Sequence, residues 1–374
     1  MAQRIYEGDA YSRAFDAYVT GCAPGKGGWL VTLDRTAFYP EGGGQPGDMG
    51  LLGSVRVLDT REKDGEVVHV CGAPLETGAH VHGEIDWARR FDHMQQHSGE
   101  HIVSGLICAR FGCDNVGFHL GAKSVVIDFN YPIPPEALPG IERAANEAIW
   151  ENRPFLVSHP GPEALAALEY RSKKELHGDV RIVECPGADR CACCGTHVKS
   201  AGELGLIKIT DRKPFREGVR LEMLAGARAY DYVCMAAAQN HAVSVLASVP
   251  EGGTAGAVER LQAELASVKY RCVGLENRVF AQYAEQYAGK GDALLFLDGL
   301  TPEALRRCCL AVAERCGGRC AVFSGEDGEF HYAVSGYDAK ALNAALHGRG
   351  GGKNGFAQGS AAAARAEIEA YFLK

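Results

Sequence analysis

The sequence predicts an α+β protein of several domains, and three patterns carry that prediction. Its first 85 residues alternate apolar and polar positions in short runs cut by glycine-rich turns, the pattern of a small N-terminal β-barrel. From 86 to 225 helices and strands follow one another without βαβ regularity, as in an α+β domain on an antiparallel sheet. Val258, Leu261, Leu265, Val268, Cys272, Leu275 and Val279 then recur at alternating steps of three and four, a heptad seam.

In chain order, "WLVTLDRTAFYP", "SVRVLDT", "EVVHV" and "HVHGEID" are the barrel strands, divided by "PGKGG", "EGGGQPGDMG" and "KDGE". A helix runs from near Asp92 to about Phe111, with Asp86 or Asp92 to cap it and Gly112 to stop it. "KSVVIDFNYP" is a strand ended by Pro132. "LPGIERAANEAIWENRP" is an amphipathic helix with Ile141, Ala145, Ala148 and Ile149 on one face. "FLVSHPG" reads as a strand and "PEALAALEYR" as a helix; "DVRIVEC", "GELGLIKITDRKPF" and "GVRLEMLAG" supply further strands. Residues 226–289 form a helical connection whose second helix begins at Thr254, a suitable N-cap. Its seam is covered either by the preceding helix, as a hairpin, or by a second copy in a homodimer through 258–279. A small C-terminal αβ domain follows from 290, with "ALLFLDG", "RCAVFSG" and "FHYAVSG" as strands and a glycine-rich "GRGGGKNGFAQGSA" near its end. The expected domains are thus 1–85, 86–225, 226–289 and 290–374.

Hydrophobic content of 46% and charged content of 23% are ordinary for a globular chain. No run has the length of a membrane span, and "MAQRIYEGDAYSRAFDAYV" lacks the apolar core of a secretion signal, so the expected location is the cytoplasm, with no membrane partner. Fourteen cysteines at irregular spacing in such a setting read as reduced thiols. A net charge of −8 excludes a global basic footprint for nucleic acid. Any RNA contact must be local, and Arg171 to Arg220, with eleven Lys or Arg against seven Asp or Glu, is the candidate patch.

In "HMQQHSGEHIVSG", His97 and His101 stand one helical turn apart, so both rings point the same way. Ser98 follows the first histidine where the zinc-protease motif has glutamate, which excludes that motif. In "CCGTHV", Cys193 and His197 repeat the four-residue step within a turn. Three imidazoles and a thiolate suit Zn²⁺; the alternative is a structural knuckle made from the loop's cysteines alone, Cys185, Cys191, Cys193 and Cys194, without the helix, although Cys191, Cys193 and Cys194 are too tightly spaced for a paired C-x-x-C ribbon. "TAFYPEGGGQPGDMG" adds a glycine turn carrying Gln45 and Asp48.

These three motifs, in this order and separation, resemble the editing domain of alanyl-tRNA synthetases, and most of all its freestanding homologues, the AlaX family. The C-terminal "GGGKNGFAQGSA" is similar to the synthetase's C-terminal domain, shared with DHH-family phosphoesterases. With the helical connection, the resemblance covers nearly the whole chain, as in the long AlaX form. It implies a trans-editing hydrolase that deacylates mischarged Ser-tRNA(Ala) or Gly-tRNA(Ala), with Zn²⁺ held by His97, His101, Cys193 and His197. The family motif is usually Cys-Gly-Gly-Thr-His, so "CCGTH" leaves Cys193 or Cys194 as the sulfur ligand; the step to His197 favours Cys193. The resemblance further implies Gln45 near the water or ester carbonyl, Asp48 as a supporting group, and Ser98, Gly117, Phe118 and His119 around the amino acid. Arg171, Lys173, Lys174, Arg216 and Lys353 are the implied tRNA contacts. Four protein ligands fill a tetrahedral ion, so zinc as activator of water and zinc as holder of substrate both stay open. The competing reading is a noncatalytic tRNA-binding protein with a structural zinc. The chain has no adenylation motifs, and Asn354 after Lys353 rules out a P-loop, so the expected activity is independent of ATP.

Overall fold

The computed structural model describes residues 2–172, 180–353 and 355–372. The expected tRNA contacts Lys173 and Lys174 lie outside the described residues. The chain is a mixed α+β structure with several sheets, in two compact units, 1–239 and 240–374.

In the first unit, β1 (Ala14–Gly25), β2 (Gly28–Leu33), β3 (Gly50–Leu52), β4 (Val55–Lys63), β5 (Glu66–Cys71) and β6 (His80–Ile85) pair in the order β1-β2-β5-β4-β3-β6, and β6 returns to β1 to close a barrel. Alternation puts Phe15, Ala17 and Val19 of β1 and Val81 and Ile85 of β6 inside. Helix α1 (Trp87–Phe111) follows at once. It starts five residues before Asp92 because the Asp86 carboxylate accepts the Arg89 N–H at 3.1 Å; Gly112, at φ 62°, ends it.

Then come β7 (Asn115–Leu120), β8 (Val125–Phe129), α2 (Leu138–Trp150), β9 (Leu156–Ser158), β10 (Ile182–Cys185), β11 (Asp189–Ala192), β12 (Ile207–Phe215) and β13 (Gly218–Ala225). The antiparallel sheet β12-β13-β8-β7 packs against α1 and α2, with Ile102, Ile107, Ile141, Ala145, Ile127, Leu221 and Met223 in the core between them. A second antiparallel sheet, β9-β10-β11, leads into the cysteine turn. The helix expected over "PEALAALEYR" is only Pro162–Ala166; Leu168 and Arg171 bond other backbone groups, and Arg171 joins β11 instead.

Helix α1 is seated by two devices. Gln96 forms a paired clasp with Ala225, its Nε2 donating to the carbonyl at 2.7 Å and its Oε1 accepting the N–H at 2.9 Å. Gly99 lies where a Cβ would press into Ala225 and Met223, so helix and strand approach closely.

α3 (Gly226–Ala247) spans the boundary between the units in sequence. The second unit contains α4 (Thr254–Tyr287), β14 (Gly291–Phe296), α5 (Pro302–Cys316), β15 (Gly317–Glu326), β16 (Glu329–Ser335), α6 (Ala339–Ala345), β17 (Arg349–Lys353), β18 (Phe356–Ala361) and α7 (Arg365–Phe372). Its sheet runs β14-β15-β16-β18-β17, parallel only at β14-β15. Thr254 does not cap α4; its hydroxyl bonds Asn240 and the Glu251 carbonyl. The glycine-rich "GRGGGKNGFAQGSA" forms the paired strands β17 and β18, because Gly350, Gly352 and Gly359 sit where a Cβ would strike the facing strand. Along α4 the six apolar seam residues are 43–57% exposed and Cys272 is exposed as well, while Phe280 and Ala284 are buried against α5. Among the described residues no helix is long and apolar enough to cross a membrane.

Candidate metal centre

His97 and His101 project from one face of α1, in a stretch buried from His93 to Gly105 except for Gln95. The turn after β11 brings Cys193 and His197 onto them. The ring centroids of His97, His101 and His197 lie 4.5–5.2 Å apart. The Nε2 atoms of His97 and His197 are 3.5 and 3.4 Å from the Cys193 Sγ, and the donor atoms of all four residues approach within 4.8 Å of one another. A tetrahedral ion with about 2.3 Å to thiolate and about 2.1 Å to imidazole sets such donors roughly 3.6 Å apart. The donor set therefore fits a metal ion. Cys194, the other sulfur of the motif, is exposed and outside this group.

Each imidazole is held through its other nitrogen. Gln45 Oε1 accepts from His97 Nδ1 at 2.9 Å, Asp189 Oδ2 accepts from His101 Nδ1 at 2.9 Å, and Ser98 Oγ shares a hydrogen bond with His197 Nδ1 at 3.1 Å. This leaves the Nε2 lone pairs for the centre, the arrangement that orients metal-ligating histidines. Burial opposes a charged thiolate at Cys193, but His97, His101 and His197, with a hydrogen bond from His101, overcome it and hold the thiol well below its usual range. Burial, with His101 beside it, pushes His197 down to about 3. The free protein thus offers a thiolate at Cys193 and a neutral imidazole at His197, the forms a metal requires. At the buried His101 ring, burial is overcome by Cys193 and Asp189, which hold it well above its usual value, so that ligation by His101 releases a proton.

The turn itself is fixed from several sides. Arg181 donates to the carbonyls of Cys193 and Gly195 at 2.7 and 2.9 Å. Thr196 donates its N–H to Gln45 Oε1 and accepts from Gln45 Nε2 at 2.8 Å, and Val198 donates to Ser98 Oγ. A Cβ at Gly195 would collide with the His97 ring, which explains the glycine.

The expected site residues fall in distinct places. Gln45 is fully buried and engaged by His97 and Thr196. Asp48 is buried too, its carboxylate bound by Arg90 and by the Tyr39 N–H at 2.6 Å, so it fastens the glycine turn to α1. Ser98 touches His197. Phe118 stacks on His97 with centroids 4.9 Å apart, and Gly44 leaves space for its ring. Gly117 faces Asp128 across the sheet, and strand alternation sends His119 to the exposed face, opposite Phe118 and Leu120. Arg171 pairs with Asp189 at 2.7 Å. Arg216 is exposed at the β12–β13 turn and Lys353 is exposed at the end of β17. Asp189, Arg181 and Thr196 escape sequence reasoning: Asp189 stands four residues before Cys193 and reads as hairpin polarity until α1 is placed beside it.

Two stretches of the chain match known families. Residues 14–89 match the family described as tRNA synthetases class II (A), and residues 180–221 match the threonyl and alanyl tRNA synthetase second additional domain. The alanyl-tRNA editing protein Aarsd1 of Danio rerio is 29% identical, with 97% of this chain and 95% of that protein aligned. Alanyl-tRNA editing protein Aarsd1-A of Xenopus laevis is 35% identical over 71% of this chain and 66% of its own length. The chain belongs to the AlaX family of alanyl-tRNA editing proteins. Alanyl-tRNA editing protein AlaX-L of Pyrococcus horikoshii is similar at 34% identity, over 61% of this chain and 59% of that protein. Within the AlaX family chain described here, the two matched regions hold the Gln45 turn and the Cys193–His197 turn, which α1 joins through His97 and His101.

Proposed function

We propose that this chain is a zinc-dependent aminoacyl-tRNA deacylase that clears Ser-tRNA(Ala) and Gly-tRNA(Ala) in trans. The observation that carries the reading is the convergence of His97, His101, Cys193 and His197 with every histidine oriented through its Nδ1. The names of the relatives support it.

Such an activity answers a physical need. A pocket shaped for alanine excludes neither the smaller glycine nor serine, which adds one hydroxyl; discrimination of that kind is worth roughly 1–3 kcal/mol. When bound, Zn²⁺ supplies Lewis-acid chemistry, polarising an ester carbonyl or acidifying a water. The protein's own part is placement. Gln45, locked by Thr196, holds the His97 ring; Phe118 covers that ring with an apolar face; Ser98 ties the second motif to α1. Asp48 contributes by anchoring the Gln45 turn through Arg90. On this reading Arg216 and Lys353 meet tRNA phosphates, whereas Arg171 is already committed to Asp189. The second copy proposed as a partner docks on the exposed seam of α4.

One observation favours a second reading. Four protein donors complete a tetrahedral shell, as in structural zinc sites. Deacylation of Ser-, Gly- and Ala-tRNA(Ala) by the zinc-loaded protein separates the two. The enzyme releases Ser or Gly, spares Ala, and loses activity in Cys193→Ala and His101→Ala. A purified protein that binds zinc and tRNA but leaves all three esters intact is the noncatalytic module instead.

A further inference from the structure

We propose that Asp189, braced by Arg171, is a positioning residue for the metal: its carboxylate fixes the His101 ring so that Nε2 faces the other donors. The proposal rests on the metal-site reading above and extends it to a pair of residues outside the donor set.

Three separate parts of the chain meet here. Asp189 opens β11, and its side chain is 1% exposed. Oδ2 accepts from His101 Nδ1 at 2.9 Å and from Arg171 Nη2 at 2.9 Å; Oδ1 accepts from Arg171 Nε at 2.7 Å. Arg171 is itself stitched to the strand, donating its N–H to the Arg190 carbonyl at 2.8 Å and accepting from the Ala192 N–H at 2.9 Å. Gly105, one helical turn past His101, lies where a Cβ would strike the Ala188 carbonyl and the Asp189 side chain. Helix, strand and the 171 segment are thus built to bring one carboxylate against one imidazole.

A buried carboxylate is costly unless paired, so this arrangement needs both its cationic brace and its donor ring. Asp189 accepts only, which keeps the ring proton on Nδ1 and the lone pair on Nε2. It also makes His101 the one imidazole of three with an anionic partner; His97 faces an amide and His197 a hydroxyl. An anionic partner raises the basicity of a ligating imidazole, so His101 is the strongest nitrogen donor of the set. Asp189 also stands within 4.8 Å of donor atoms of His101 and Cys191. Both its oxygens are already taken, so it serves the ring and does not ligate an ion of its own.

The test measures metal affinity directly, without turnover. Zinc titration against a chromophoric chelator compares wild type, Asp189→Asn and the double variant Asp189→Asn/Arg171→Met, with Co²⁺ loading as a spectroscopic probe. An amide offers one acceptor oxygen to three donors, so Asp189→Asn binds Zn²⁺ about 10–100-fold more weakly and shifts the thiolate-to-cobalt band. Removing the guanidinium frees the amide oxygen for His101, so the double variant recovers part of the loss while staying below wild type. Wild-type affinity and an unchanged cobalt band in a folded Asp189→Asn protein overturn the proposal. If Asp189→Asn does not fold, the double variant, which leaves no unpaired buried charge, decides: wild-type affinity there overturns it. A wild type that binds no Zn²⁺ sinks the metal reading itself, and this proposal with it.

Discussion

The two adjacent cysteines of the "CCGTH" turn show how far a single side chain's fate depends on local geometry. Cys193 has three imidazoles around it and accepts the Gly195 N–H at 3.3 Å; Cys194 points to solvent. The spacing rule alone favours Cys193, and the packing gives the reason, since only that sulfur lies on the inner side of the turn clamped by Arg181. Replacing a thiolate with a hydroxyl removes the soft, charged donor. Cys193→Ser therefore loses most of its bound zinc after dialysis, and Cys194→Ser keeps one equivalent, as elemental analysis of the two purified variants checks. Equal zinc content in both would show that the sulfur is not the donor. Asp48 teaches the opposite lesson. A carboxylate beside a glycine turn reads as a group for chemistry, yet its oxygens serve Arg90 and Tyr39, and only the folded chain reveals that use.

At the level of elements, what is local in sequence is legible and what is closed through space is not. The His97–His101 face follows from the helical period, and the barrel strands from their alternation, because both patterns repeat within a few residues. The ends of α1 depend on caps, and Asp86 rather than Asp92 supplies the oxygen. The clasp of Gln96 on Ala225 and the contact of Asp189 with His101 join residues 129 and 88 positions apart, which no periodicity marks. His69 is another such case. It lies inside the barrel, Nδ1 against the Val31 carbonyl and Nε2 against the Thr36 hydroxyl, and burial pushes its pKa down to about 4. With the folded value below that of the unfolded chain, the unfolded barrel binds more protons. The stabilisation is full above about pH 6.5 and is lost as pH falls toward 4. Between pH 7 and pH 5 the barrel loses about 2 kcal/mol from this group alone. Native-state hydrogen exchange of the β2 and β5 amides, corrected for intrinsic rates, registers that loss in wild type, and His69→Gln, which cannot titrate, abolishes it. Parallel pH curves for the two proteins would remove His69 from the account.

For the whole molecule, the long helix α4 carries an exposed apolar seam, and the proposed pairing with a second copy makes a prediction that the flanking charges sharpen. Leu261, Val268 and Leu275 occupy one set of heptad positions; Val258, Leu265, Cys272 and Val279 occupy the other. In a parallel pair of such helices Glu264, before one seam position, meets Lys269 of the second copy, after another, and the pair is attractive. The same register sets Cys272 against its own counterpart, since like positions face each other across a parallel in-register seam. The chain is therefore expected to sediment as a dimer, and Leu265→Glu, which buries two like charges at the seam, as a monomer. Mild oxidation joins two copies into one covalent species, and Cys272→Ser prevents this while leaving the exposed Cys194 and Cys234 in place. A wild type that sediments as a monomer at all accessible concentrations refutes the dimer. A dimer that Cys272 never cross-links refutes the parallel register, because the antiparallel alternative opposes each cysteine with an apolar residue.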